Sequence, residues 1–117
     1  MANFLFIYRG SLDSEAKLSP EEMQQMMNKW GAWIGEAMQK GWMIDVGDAL
    51  TPEMRMVNSK KVVTDGPFIE SKDVVGGYSV VKADSIDAAA ELAKGCPGLQ
   101  YDGKVEVRTL AGMGSKL

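Results

Sequence analysis

Histidine is absent from the 117 residues, and a wide range of chemistry goes with it. There can be no Ser-His or Cys-His nucleophile system, no imidazole acid or base, and no His-ligated zinc, iron or haem. The single cysteine, Cys96, excludes an intrachain disulfide, offers no basis for a zinc or iron–sulfur site, and suits a reducing compartment. Positive charge is not in excess: 13 Lys and Arg stand against 16 Asp and Glu, a net charge of −3. That balance argues against direct nucleic-acid contact, which needs a basic face to neutralise phosphates. Long hydrophobic runs are missing as well. The run Phe4-Leu5-Phe6-Ile7-Tyr8 is too brief for a secretion signal or a membrane span, so a cytoplasmic protein with no membrane contact is expected. A metal site would have to use carboxylates alone; no metal and no cofactor are expected.

What is present suffices for one folded domain. Hydrophobic residues make up 45% of the chain, enough for a core without disulfides. The domain is placed at residues 1–110, and residues 111–117, with two glycines and a serine, are read as a flexible tail.

Residues 4–9 are short, aromatic and aliphatic, and predict a buried strand ending at Gly10 before a polar loop over 11–17. Ser19-Pro20-Glu21-Glu22 then supplies an N-cap, a proline at the first helical position and a capping-box glutamate. The helix that follows carries Met23, Met26, Met27, Trp30, Trp33, Ile34, Ala37 and Met38 as one apolar stripe and stops at Lys40-Gly41. Gly31 and Gly35 lie four apart in it, a cost that close approach of another backbone or a ligand would offset. A second strand is predicted over 42–50, and a small hairpin from 55–59 and 61–64. After the turn chemistry of Thr64-Asp65-Gly66-Pro67-Phe68 comes a strand over 74–83 whose Gly76-Gly77 signals a bulge or close backbone contact. Asp84 or Ser85 caps a second helix with Ile86, Ala89, Ala90, Leu92 and Ala93 on one side, and 104–110 alternates as a half-exposed strand.

This order defines an α+β chain, a ferredoxin-like βαββαβ plan with an extra hairpin, an antiparallel sheet and both helices on one face. Two helices cannot cover both faces, so the other face must stay wet, bind something or pair with a second subunit; a homodimer is expected.

The stretch Thr64-Asp65-Gly66-Pro67-Phe68-Ile69-Glu70-Ser71-Lys72, with Gly76-Gly77-Tyr78, Ala88-Ala89 and Cys96-Pro97 after it, resembles the DGPF family within the YCII-related superfamily. The resemblance runs from the opening aromatic strand through Leu18-Ser19-Pro20-Glu21-Glu22 to Val105-Glu106-Val107-Arg108. It implies a dimeric α+β barrel built from two ferredoxin-like subunits. The superfamily includes a dehydrochlorinase-like branch, and its YCII branch implies a His–Asp proton relay in a cleft. That relay does not carry over, because the region around Trp30 to Trp33 offers only apolar residues and Gly31. Relatives in the DGPF branch are often encoded beside sigma factors, which implies a link to transcription through a regulatory protein partner.

The candidate site centres on the motif loop. Asp65 or Glu70 would take a proton from a small oxygenated substrate, Tyr78 would donate one, and Lys72 or Arg9 would steady the resulting anion. Tyr8, Gly76 and Gly77 join Arg9 and Lys72 as candidate ligand contacts. The structural alternatives are that Asp65 caps its own turn, Glu70 and Lys72 form a rim ion pair, Gly76-Gly77 makes a bulge, and Tyr8 and Tyr78 belong to a core hydrogen-bond network. Trp30, Trp33 and the helix methionines sit at core spacing. Two functions are therefore kept open: binding of a small polar or anionic molecule near the loop, with a cofactor-independent lyase or isomerase step as its enzymatic form, or a non-catalytic interaction module tied to transcription.

Overall fold

A computed structural model describes residues 2–10, 18–66 and 74–116. The expected loop over 11–17 and the motif residues Pro67, Phe68, Glu70 and Lys72 lie outside the described residues. The chain runs β1 (Ala2–Gly10), α1 (Pro20–Gln39), β2 (Met43–Ala49), β3 (Met56–Val57), β4 (Val63–Thr64), β5 (Val74–Ala83), α2 (Ile86–Ala93), a 3-10 turn (Pro97–Tyr101) and β6 (Lys104–Thr109). A last 3-10 turn spans Met113–Lys116, within the segment read as tail.

Among the described residues, β2-β5-β1-β6 form a four-stranded sheet in which every pairing is antiparallel. That is the ferredoxin-like order expected from the sequence. Successive strand residues alternate between faces, and one face carries the core: Phe4 and Phe6 on β1, and Val81 and Ala83 on β5, pack with Met43, Ala37, Ala89 and Ala93. Leu5, Ile7 and Val80 lie on the other face, which neither helix covers. On that face Arg9 pairs with Glu106 at 2.8 Å, and Arg108 pairs with the same carboxylate at 3.2 Å.

The helix α1 starts as its sequence dictates. The Glu22 N–H donates to Ser19 Oγ at 3.1 Å and the Ser19 N–H donates to Glu22 Oε1 at 3.2 Å, closing the capping box. Such a cap contributes about 1 kcal/mol. The buried stripe is narrower than the sequence suggests. Met23, Met26, Trp30, Trp33, Ile34 and Ala37 turn inward, whereas Met27 and Met38 are more than half exposed, because a helix lying on one sheet face buries an arc of only about 100°. The close approach expected at Gly31 and Gly35 is not made within the described chain: a Cβ at either would meet nothing within 4 Å. Gly31→Ala should therefore raise unfolding stability by about 1 kcal/mol, the difference in helix propensity; a destabilised variant in urea unfolding would show that something does press on that flank.

At α2, Ser85 is the N-cap, its Oγ accepting from the Ala88 N–H at 3.1 Å. Its inward face is Ala88, Ala89, Leu92 and Ala93, while Ile86 and Ala90 are exposed, correcting the face expected from the sequence. The short helix turns its first residue toward solvent so that the small alanines can sit close to the sheet. The hairpin β3–β4 forms at the expected place, as a separate two-stranded sheet. The Asn58 side chain organises its turn, accepting from the Lys60 and Val62 N–H groups at 2.9 and 3.0 Å. Val57 and Val63 on it remain exposed.

Candidate functional site: a cleft between helix and sheet

Tyr8 sits two residues past Phe6, the last buried residue of β1, on the face that carries Phe4 and Phe6, so its ring points at α1. It meets Trp30 edge-on at 4.9 Å between centroids, and Trp33 at 6.3 Å. Trp33 continues to Trp42 at 5.7 Å, and Trp42 to Phe6 at 6.4 Å. Edge-to-face contacts of this kind add about 1 kcal/mol each beyond burial. The aromatic row is deep at Phe6 and opens outward at Trp30.

At that outer end lies a cleft of about 440 Å³. Its helix wall is Met26, Trp30 and Ile34; its sheet wall runs from Tyr8 across Gly77 and Ser79 to the 46–49 stretch of β2; Gly98, Tyr101 and Gly103 close one end. The β-bulge that shapes the sheet wall is where the glycines suggested: Tyr8 pairs with Gly77 but Arg9 with Val75, leaving Gly76 as the extra residue. Gly77 is buried where β2 crosses, and a Cβ there would stand 2.8 Å from the Asp48 carbonyl oxygen.

Ser79 is the polar group at the floor. It is fully buried, on the helix-facing side of β5 between Gly77 and Val81. Tyr8 donates its hydroxyl proton to Ser79 Oγ at 2.9 Å, and Ser79 donates to the Val46 carbonyl at 2.6 Å. Burial pushes the Tyr8 phenol up from 10.0 to about 12, against the opposing pull of its bond to Ser79. The neutral form is thus favoured by folding. This contribution to stability is complete below pH 10 and is lost as pH rises through about 12. In an ultraviolet phenolate titration, Tyr8→Phe should remove the latest step; loss of an early step would contradict this burial. Burial likewise pushes the Cys96 thiol up to about 11, against the Gly98 and Leu99 amides, leaving it a neutral thiol beneath the cleft's end.

The candidate residues from the sequence fall into three groups. Tyr8, Arg9, Gly76, Gly77 and Tyr78 all border the cleft. Within that group, Arg9 sends its guanidinium to Glu106, whose carboxyl Arg9 and then Arg108 hold below the usual range. Tyr78 stands opposite Ile7 in register and is 38% exposed, while its neighbour Ser79 faces the helices. Asp65 lies apart: its side chain is 91% exposed and lies 3.5 Å from Arg55, and the local turn bond is made instead by Thr64, whose Oγ1 accepts from the Gly66 N–H at 3.2 Å. Glu70 and Lys72 are outside the described residues. Sequence reasoning missed Ser79, Tyr101 and the cleft role of Trp30. Ser79 had a signal, being a hydroxyl in phase with Gly77, Val81 and Ala83 on a strand whose other inward positions are apolar. Among the described residues, no three His, Cys, Asp or Glu side chains gather as a metal site would require.

Fold and cleft together define a ferredoxin-like α+β domain with an aromatic-walled recess between its long helix and its sheet. The chain belongs to the YCII-related family, whose domain model matches residues 5–113. No curated protein matches it. Among solved structures it is similar to 5-chloro-2-hydroxyhydroquinone dehydrochlorinase (TftG) from Burkholderia phenoliruptrix AC1100 in complex with 2,5-dihydroxybenzoquinone, at 17% identity and a TM-score of 0.44, over 91% of this chain and 90% of that one. Among the described residues, no helix is long and apolar enough to cross a membrane.

Proposed function

We propose that this chain is a cytoplasmic, homodimeric member of the DGPF branch that binds a small polar aromatic molecule in the cleft between α1 and the sheet. The observation that carries the reading is the cleft itself: a space of about 440 Å³ with Trp30 and Tyr8 on its walls and a hydroxyl pair, Tyr8 on the buried Ser79, at its floor. Apolar walls with a few fixed polar groups are what small-molecule sites are made of. The enzymatic form of this reading is a cofactor-independent lyase or isomerase step. Dimerisation is supported by the uncovered sheet face, where Leu5, Ile7 and Val80 lie between an edge carrying Asp45 and Asp48 and an edge carrying Lys104 and Arg108.

Native mass spectrometry of the protein purified from its own cells, followed by denaturing release, tests both parts. A dimer carrying a small adduct is expected, and Trp30→Ala should lose the adduct while remaining dimeric. A bare protein, or an adduct retained by Trp30→Ala, would remove the cleft as the binding site; a monomer would remove the dimer.

A further inference from the structure

The hydroxyl pair at the cleft floor has a direction, and the main chain sets it. A carbonyl oxygen cannot donate, so the 2.6 Å contact between Ser79 and Val46 commits the only proton of Ser79 to the Val46 carbonyl. Ser79 Oγ can then only accept from Tyr8, and the 2.9 Å contact commits the only proton of Tyr8 in turn. Ser79 is wholly buried, so water has no room to supply a substitute partner. What Tyr8 has left for a molecule in the cleft is a lone pair.

We propose that Tyr8 acts on a bound ligand as a hydrogen-bond acceptor, so that the cleft selects aromatic molecules bearing a neutral donor, a phenolic O–H or ring N–H, over carboxylates and over ethers of the same shape. This rests on the cleft being the ligand site and adds the polarity that the ligand must have. The charges around the cleft act in the same sense. The Arg9 guanidinium, which could have met an anion, is bonded to Glu106. The high Tyr8 pKa keeps the phenol neutral and the chain intact across ordinary pH. For Tyr8 to donate to an anion instead, it would have to release Ser79, leaving a buried oxygen short of one partner.

The test is calorimetric titration of the full chain with phenol, anisole and benzoate, with tryptophan emission as a second readout. Phenol should bind about fivefold to tenfold tighter than anisole, the worth of one hydrogen bond, and benzoate should bind weakest. Tyr8→Phe leaves the Ser79–Val46 bond in place and should erase the phenol preference while anisole binding holds. Ser79→Ala frees the Tyr8 proton and should narrow the gap between benzoate and phenol; because it also strands the Val46 carbonyl, Tyr8→Phe is the deciding variant. Equal binding of phenol and anisole, a phenol preference that survives Tyr8→Phe, or benzoate binding tightest would overturn the inference and leave the cleft as a binding site. Failure of all three probes to bind would overturn the cleft reading and this inference with it.

Discussion

Gly47→Ala should destabilise the fold by about 3 kcal/mol, more than a surface glycine substitution has any reason to cost. Gly47 has φ +70°, in the left-handed region, and a Cβ built there would lie 1.8 Å from the Tyr78 carbonyl oxygen and 2.7 Å from its carbonyl carbon. Those atoms belong to β5 and cannot swing aside as a side chain would. Relief requires β2 to part from β5 beside the Val46 carbonyl, which anchors Ser79. The local bond from the Gly47 N–H to Asp45 Oδ1, 2.8 Å long, goes with it. Thermal unfolding should show a midpoint lowered on the order of 10 °C. Ligand binding should weaken along with stability, since the strand that moves is one wall of the cleft. A midpoint within a degree or two of the parent's would mean that β2 and β5 do not approach as described.

Phe6→Ala is expected to cost about 4 kcal/mol in urea unfolding, with an unchanged slope against denaturant. The Phe6 ring is fully buried in the middle of β1, opposite Ser79 on β5 and Val107 on β6. It lies 6.5 Å from Tyr8 and 6.4 Å from Trp42. Removing it opens a void under the aromatic row, and well-packed strands close over such voids only in part. Tyr8 then loses the edge that holds its ring against Trp30. The near-ultraviolet circular dichroism of the tryptophans should fall even in the fraction that remains folded. A loss below 1.5 kcal/mol would indicate that the sheet collapses freely into the space, contrary to the packing seen around Phe4, Val81 and Ala89.

These effects separate what is local from what is not, and the same division governs how much of the molecule the sequence disclosed. Ser19 and Glu22 are three residues apart, so their capping box was legible; so were the alternation along β6, the bulge signal of Gly76-Gly77 and the hairpin around Asn58. Together they give the ferredoxin-like order directly. The width of the stripe on α1 was not legible, because whether Met27 and Met38 are covered depends on where the sheet ends beneath them. The site was harder still. Tyr8 and Ser79 are 71 positions apart and meet only through the β1–β5 register. The sequence marked both segments as strands without saying which hydroxyl would face which. Trp30 and Trp33 share one spacing and look alike on a helical wheel, yet one opens onto the cleft and the other continues into the core, according to how far each lies from the end of the helix. Asp65 drew notice because carboxylates in turns are chemically expressive, but its exposure follows from the hairpin it closes.

The acceptor that fixes the Tyr8–Ser79 pair belongs to the main chain at Val46, and this bears on how the site can change over evolutionary time. Any residue that keeps β2 and the cleft wall in place can stand at position 46, because the acceptor there is main chain. Position 79 has no such freedom. A single replacement there releases the Tyr8 proton and can turn a site for donors into one for acceptors, with the aromatic walls of the cleft inherited and the Val46 carbonyl left to find another partner.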